Sequence, residues 1–455
     1  MKNSSEPVVV MGGGPAAVFT ACGLVDLGME AVIITRPRPF PAWEGISERP
    51  LNTLRHFGFN KTLASVGPMV ARAAHWNGVS QLQNREYILD RQLFDQALLA
   101  DAHTKGVTVI DGRVEQMTRN EGQWHLSYVT ASGTGTLTTD FLVEGRGRES
   151  KLGRKMTSGP ETAKGDHITG PATTALLKSY HVSEGQAAMT SVASFVNGWA
   201  WYLRDGKGTA ILQIFVSSLQ GELPPKSGLE AYFTDLVSQL PEAEDWLQDV
   251  EDTGTGVSVR TAAAQKTTPC GGEDFLVVGD GALALDPLSG NGIFYAIGSG
   301  LAAAPVINTL RHKPENGDLA LQFYQERIEL AFEGGCLMGR EFYAAEERWP
   351  TAPFWQARSS WPTGEGSSHP DPLSQPAEVC WKPVVRDGYI DRQQVIVTAD
   401  HPRGVWQLDG VPLVGLLNLI RGGSRDDGDN AVKLAGATQA VTTARKWLMA
   451  RKLVL

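Results

Sequence analysis

Two glycine-rich turns carry the chemistry most legible in this chain. In the first, Gly12, Gly14 and Ala17 stand at G-x-G-x-x-A spacing between an apolar run, Val8 to Val10, and an apolar helical stretch. Strand, tight turn and helix in that order make a pyrophosphate cradle. Gly12 permits the turn and Gly14 leaves the backbone bare for phosphate. Pro15 and Ala16 open the helix whose free N–H groups face the anion, and Ala17 lets helix and strand approach. After the next strand, where an acidic residue would bond ribose hydroxyls, the chain has Thr35 and Arg36. Arg36 suits either the 2′-phosphate of NADP or stacking on an adenine.

The second turn lies within Glu273 to Ala304. A buried strand, Phe275 to Val278, runs into Gly279-Asp280, then a loop from Pro287 to Gly292, then a helix of small residues. Asp280 at the strand end can accept from a ribityl or ribose hydroxyl. Pro287 and Asn291 shape the loop, and Gly290 and Gly292 can lie against a flavin ring or a phosphate.

These two turns in this order, with "ILDRQLFDQALLADA" (88–102) and "FLVEGRGRES" (141–150), resemble the FAD-dependent monooxygenase superfamily, which includes aromatic hydroxylases, flavin-dependent halogenases and geranylgeranyl reductases. The resemblance implies FAD as cofactor, Arg36 as an adenine contact, Arg91 as a contact to the FAD phosphates, and a fold of α/β class. That fold would join a Rossmann-like FAD-binding domain of the GR2 type to a β-sheet substrate domain. Arg146-Gly147 stands where many hydroxylases that use NAD(P)H directly have Asp-Gly, so a separate flavin reductase becomes a candidate partner. The halogenase pattern is incomplete. "NGWAWYLRDG" keeps Trp199 and Trp201 but has Leu203-Arg204 for Ile-Pro, the stretch 66–78 contains no Lys, and the flavin loop reads Ser289-Gly290-Asn291-Gly292.

The monooxygenase reading needs a cavity that excludes water and holds an electron-rich ring. Trp199, Trp201, Trp76 and Arg72 are its candidate walls, and His75 is a candidate acid or base. Within the superfamily the chain most resembles flavoproteins that oxidise a Trp of a partner polypeptide to build a tryptophylquinone. The segments 43–59 and 344–359 and the appended tail carry that resemblance. An enzyme acting on a small aromatic, by hydroxylation or halogenation, and an FAD-containing reductase or assembly factor are the alternative readings.

The elements that position these residues follow from composition and pattern. With 455 residues, 42% of them hydrophobic, the chain can bury a large core and form two or three domains. A net charge of −9 gives no basic field for nucleic acid or anionic membrane. The opening residues lack a signal-peptide pattern and no window reads as membrane-spanning, so a cytoplasmic protein is expected. Cys22, Cys270, Cys336 and Cys380 lack metal-site spacing and read as small buried hydrophobes. The expected division is an FAD domain over 1–150 and 270–358, a strand-rich substrate domain over 151–269, a Pro/Gly/Ser linker over 359–376, and a winged-helix-like module over 377–455. In that module two strands, a short helix ending near Gly422, a longer helix from Asn430 and a final strand-like run are expected.

Overall fold

The computed structural model describes residues 6–38, 40–150, 167–183, 185–218, 223–422 and 438–454. Its contacts divide the chain into two compact units: Met1–Ala304 with Ile328–Glu365, and Pro305–Arg327 with Gly366–Leu455.

In the first unit, Val8–Met11 is fully buried and lies between Ala31–Thr35 and Leu142–Glu144, parallel to both. Thr108–Asp111 and Phe275–Val277 extend this sheet outward, and Gly271–Gly272 closes one edge antiparallel. Continuous Val/Ile runs are what a parallel strand covered on both faces requires. The helix Pro15–Asp26 packs closely: a side chain at Gly300 would meet the Ala16 carbonyl oxygen at 2.5 Å, so only glycine fits there.

A nine-stranded sheet forms the other half of this unit. Strands Thr173–Val182, Thr209–Ser217, Gly198–Arg204 and Met189–Phe195 run antiparallel in sequence. Met69–Trp76 then pairs parallel to Met189–Phe195, and Val79–Asp90 and Trp43–Ile46 follow it. The sheet therefore draws on residues 43–90 as well as the expected 151–269, whose first sixteen positions lie outside the described residues. Alternation gives it two faces. One buries Leu176, Phe195, Tyr202, Leu212, Ile214 and Trp246, and the other buries Trp199, Trp201, Leu203, Ile211 and Phe215.

The helix Gly292–His312 is long and apolar enough to cross a membrane, which corrects the expectation that no window is, but 67% of its apolar window is buried inside the protein. Cys22, Cys270 and Cys336 are buried, and burial pushes their thiols up to about 12. Cys380 departs from the expectation and is only half-buried.

The second unit holds a meander of Glu378–Arg386, Tyr389–Thr398 and His401–Val405, with helices Leu413–Ile420 and Thr438–Ala450. Ile396, Leu413, Leu417, Ala444 and Leu448 form its core. The expected final strand is instead a turn at Arg451–Lys452, because Leu453 and Val454 pack onto that core without a strand partner. The start of the expected longer helix, from Asn430, falls outside the described residues.

Candidate active site

The first glycine turn has the geometry of a cradle. Gly12 has φ +110°, and a side chain there would meet the Gly145 carbonyl oxygen at 2.4 Å. Gly14 is extended at the helix cap, Pro15 follows at the first helical position, and a side chain at Gly14 would meet nothing within 4 Å. Gly12 is thus required by the protein itself, whereas Gly14 faces open space. Ala17 is fully buried, and a side chain at Gly145 would lie 2.9 Å from its Cβ. Arg36 is exposed just beyond the second strand.

Charged groups gather beside this turn. Arg91 is the first residue of its helix, is 8% exposed, and is held by Glu44 and by Asp95 at 2.9 Å. Burial opposes its charge, but these two carboxylates outweigh burial and keep the guanidinium firmly protonated. Its three nitrogens are all engaged with carboxylates, so a phosphate would share Arg91 with them. Arg38 also bonds Asp95, at 3.1 Å. Asp280 stands 3.6 Å from Arg148, which donates to the carbonyls of Ala263 and Leu285. Desolvation raises the Asp280 carboxyl above its usual range and Arg148 partly offsets this, although 43% of the side chain is exposed.

In the second turn, Asp286 caps Pro287–Ser289 by accepting from Leu288 N at 3.0 Å, and Gly290 turns left-handed at φ +62°. Asn291 donates to the Ser289 carbonyl at 2.9 Å, and the helix begins at Gly292. Side chains at Gly290 or Gly292 would meet nothing within 4 Å. Two bare turns at helix N-termini, a charged cluster and a part-exposed carboxylate fit an FAD molecule. The pyrophosphate suits Gly14 and its helix, a hydroxyl suits Asp280, and the ring suits the Gly290–Gly292 turn.

The loop is tied to the sheet. Tyr343 donates to Asp286 at 3.0 Å, and Trp199 Nε1 donates to the Tyr343 hydroxyl at 3.0 Å. Burial, with Asp286 adjacent, pushes the Tyr343 hydroxyl well above its usual range, and burial likewise raises Asp286. Beside this pair, a small pocket is lined by Cys336, Arg340, Arg358 and Trp361, among others.

The aromatic wall differs in part from expectation. Trp199 is 3% exposed and stacks on Phe215 at 3.8 Å, so it is a core residue and not a cavity wall. Trp201 shares its face and is buried too; Trp76 is half-buried, edge-on to Trp355. Leu288 of the flavin loop packs on the same cluster. Arg72 stands on this face, opposite Thr190 and between Val70 and Ala74. His75 does not. It faces the reverse side of the sheet, bonded to Ser80 at 2.8 Å and 3.5 Å from Glu242, with Trp246 edge-on. The odd-even alternation of one strand separates it from Arg72, which removes it as an acid or base for a ring held on the aromatic face.

The segment 344–359 closes the wall. Glu346 accepts from Ser194 at 2.6 Å, Asn77 N at 2.7 Å and Arg348 at 2.9 Å. Burial alone would raise its carboxyl; these hydrogen bonds outweigh burial and lower it to about 2. Asp286, Tyr343, Glu346 and Arg148 were not singled out from sequence. Asp286 immediately precedes the Pro287–Gly292 loop, but Tyr343 and Glu346 are brought in only by tertiary packing.

Residues 48–369 match the family described as tryptophan halogenase. The peptidyl tryptophan dihydroxylase QhpG, essential for tryptophylquinone cofactor biogenesis, is a structural neighbour at 36% identity and TM-score 0.82, over 99% of this chain and 100% of that one. The flavin-dependent halogenase CmlS shares the fold at 17% identity and TM-score 0.75, over 98% and 95%. LodB of Marinomonas mediterranea, whose name describes an FAD-dependent oxidoreductase, is 24% identical over 78% of this chain and 97% of its own length. The chain belongs to the tryptophan halogenase family and is an oxygen-using oxidoreductase with FAD as its cofactor.

Proposed function

We propose that this enzyme hydroxylates the ring of a Trp side chain in a partner polypeptide, supplying the ring oxygens of a tryptophylquinone. The likeness to QhpG carries this reading: it reaches 36% identity over 99% of the chain, against 17% over 98% for the halogenase CmlS. Bound FAD supplies the activation of dioxygen for insertion into an electron-rich ring. The protein's own part is positional. Gly14, Asp280 and the Gly290–Gly292 turn hold the cofactor, with Arg91 and Arg36 beside its phosphates and adenine. Asp286, fixed by Tyr343 and through it by Trp199, holds the loop against the sheet. Leu288, Trp201 and Trp76 keep water from the ring, and Arg72 is a polar group on the face toward it. The second unit is assigned to the polypeptide: Val379, Trp381 and Val385 lie exposed on one face of a strand, with Trp381 63% exposed.

The family match favours halogenation as a second reading, but Met69–Trp76 offers no Lys to carry an oxidised halide. Turnover in bromide with mass analysis of the product separates the two. The expected product gains oxygen only; a brominated ring restores the halogenase reading.

A further inference from the structure

Arg72 has five N–H donors, and among the described residues none of them makes a hydrogen bond. Glu86 is its ion-pair partner among those residues, 3.8 Å from Nη1 and beyond hydrogen-bonding distance. Its side chain is 23% exposed, and its buried Nε has no acceptor. Two further polar groups on the same sheet face are equally unmatched. Glu86 is 7% exposed and Thr190 is fully buried, yet Glu86 Oε1 and Thr190 Oγ1 both lack partners. Strand register puts them together: Thr190 is opposite Arg72, and Glu86 is opposite Val70, one alternation away. Buried polar groups are ordinarily bonded, so an unmatched donor beside an unmatched acceptor calls for a ligand.

The ligand's chemistry follows from the pair. The Arg72 guanidinium needs an acceptor and the Glu86 carboxylate a donor, and a hydroxyl offers both on one atom. An unmodified indole cannot satisfy Arg72, since it has one N–H donor and no acceptor. The same ring after one hydroxylation can. We propose that Arg72, positioned by Glu86, binds the hydroxyl of the once-oxygenated ring and so determines the second hydroxylation. This rests on the function proposed above. Each hydroxylation consumes one dioxygen, two electrons from reduced flavin and two protons; a ring C–H becomes C–OH and the other oxygen leaves as water. Glu86 takes the proton of the first hydroxyl as the Arg72 guanidinium holds the oxyanion, which is more electron-rich and directs the next oxygen to the ortho or para carbon.

The test is binding of indole and of hydroxyindole isomers to the oxidised holoenzyme, followed by perturbation of the flavin absorbance. Wild type should bind one hydroxyindole isomer at least about tenfold more tightly than indole. Arg72→Met should lose that preference, Arg72→Lys should keep part of it, and Glu86→Gln should weaken it while retaining side-chain volume. With a polypeptide substrate, Arg72→Met should shift the product from two added oxygens toward one. Equal binding of indole and hydroxyindole by wild type would overturn the proposal and leave the pair bridged by water. Equal loss of both oxygens, with no singly oxygenated product, would assign Arg72 to a backbone carbonyl and also overturn it. An enzyme that oxygenates no polypeptide defeats the function proposed above but leaves the hydroxyindole preference as an independent reading.

Discussion

At the scale of single residues, the account turns on buried polar groups that tie the flavin loop and the aromatic wall to the sheet. Tyr343 is the hinge of one such set, donating to Asp286 while accepting from Trp199. Tyr343→Phe strands the indole N–H and removes one donor from a buried carboxylate. We expect a loss of about 2 kcal/mol in unfolding free energy, with a shifted flavin absorbance band from the loosened loop, measured by thermal denaturation and visible spectroscopy. Unchanged stability and spectrum would show that the relay positions nothing. Glu346 provides a pH test. Its carboxyl is lowered from 4.5 to about 2, so the folded state binds its proton more weakly than the unfolded chain. Its stabilisation is complete above about pH 4.5 and is lost as pH falls toward 2. Glu346→Gln should flatten that part of the Tm profile, and an unaltered acid limb would remove Glu346 from the wall's support.

At the scale of elements, the two glycine turns were legible because their requirements are local. Gly12 needs a left-handed backbone and Gly14 needs bare space, and both demands are written in the spacing. The structure separates them by cause. Gly12→Ala drives a carbon into the Gly145 carbonyl, so it should unfold or destabilise the chain whether or not FAD is present. A Cβ at Gly14 meets nothing within 4 Å, so the Gly14→Val apoprotein should keep its Tm while FAD binding is lost. Thermal melts of both variants with and without FAD check this; a Gly14→Val apoprotein that melts early would contradict it. What the sequence did not disclose is long-range. Trp199 is a candidate cavity wall through the Trp positions it shares with the halogenase pattern, and only its stacking on Phe215 shows it to be core. His75 lay three positions from Arg72, but which face each takes depended on a pairing with Met189–Phe195 more than 100 residues away. The recruitment of Trp43–Ile46, Met69–Trp76 and Val79–Asp90 into the substrate sheet likewise has no local signal.

At the scale of the whole molecule, the boundary between units falls within the Pro/Gly/Ser stretch, at Glu365–Gly366, but also runs through the helices Gly292–His312 and Gly317–Ala344. Pro305–Arg327 belongs with the C-terminal residues, where Asn308 donates to the Gly388 carbonyl at 2.8 Å and Thr309 accepts from Ile390 N at 2.8 Å. Cutting at residue 376 would strip those partners from a buried helix, so a truncated chain reports on folding as much as on docking. The intact holoenzyme is the right object, and the substrate is the variable to change. If the second unit engages a polypeptide, much of the binding energy comes from contacts remote from the ring, and free tryptophan forfeits it. The direct measurement is turnover under labelled dioxygen, with reduced flavin supplied, of free tryptophan and of candidate Trp-bearing polypeptides, followed by mass spectrometry. The account predicts labelled oxygen on a Trp ring within a polypeptide and little or none on the free amino acid. Efficient labelling of free tryptophan, with no polypeptide labelled, would contradict it.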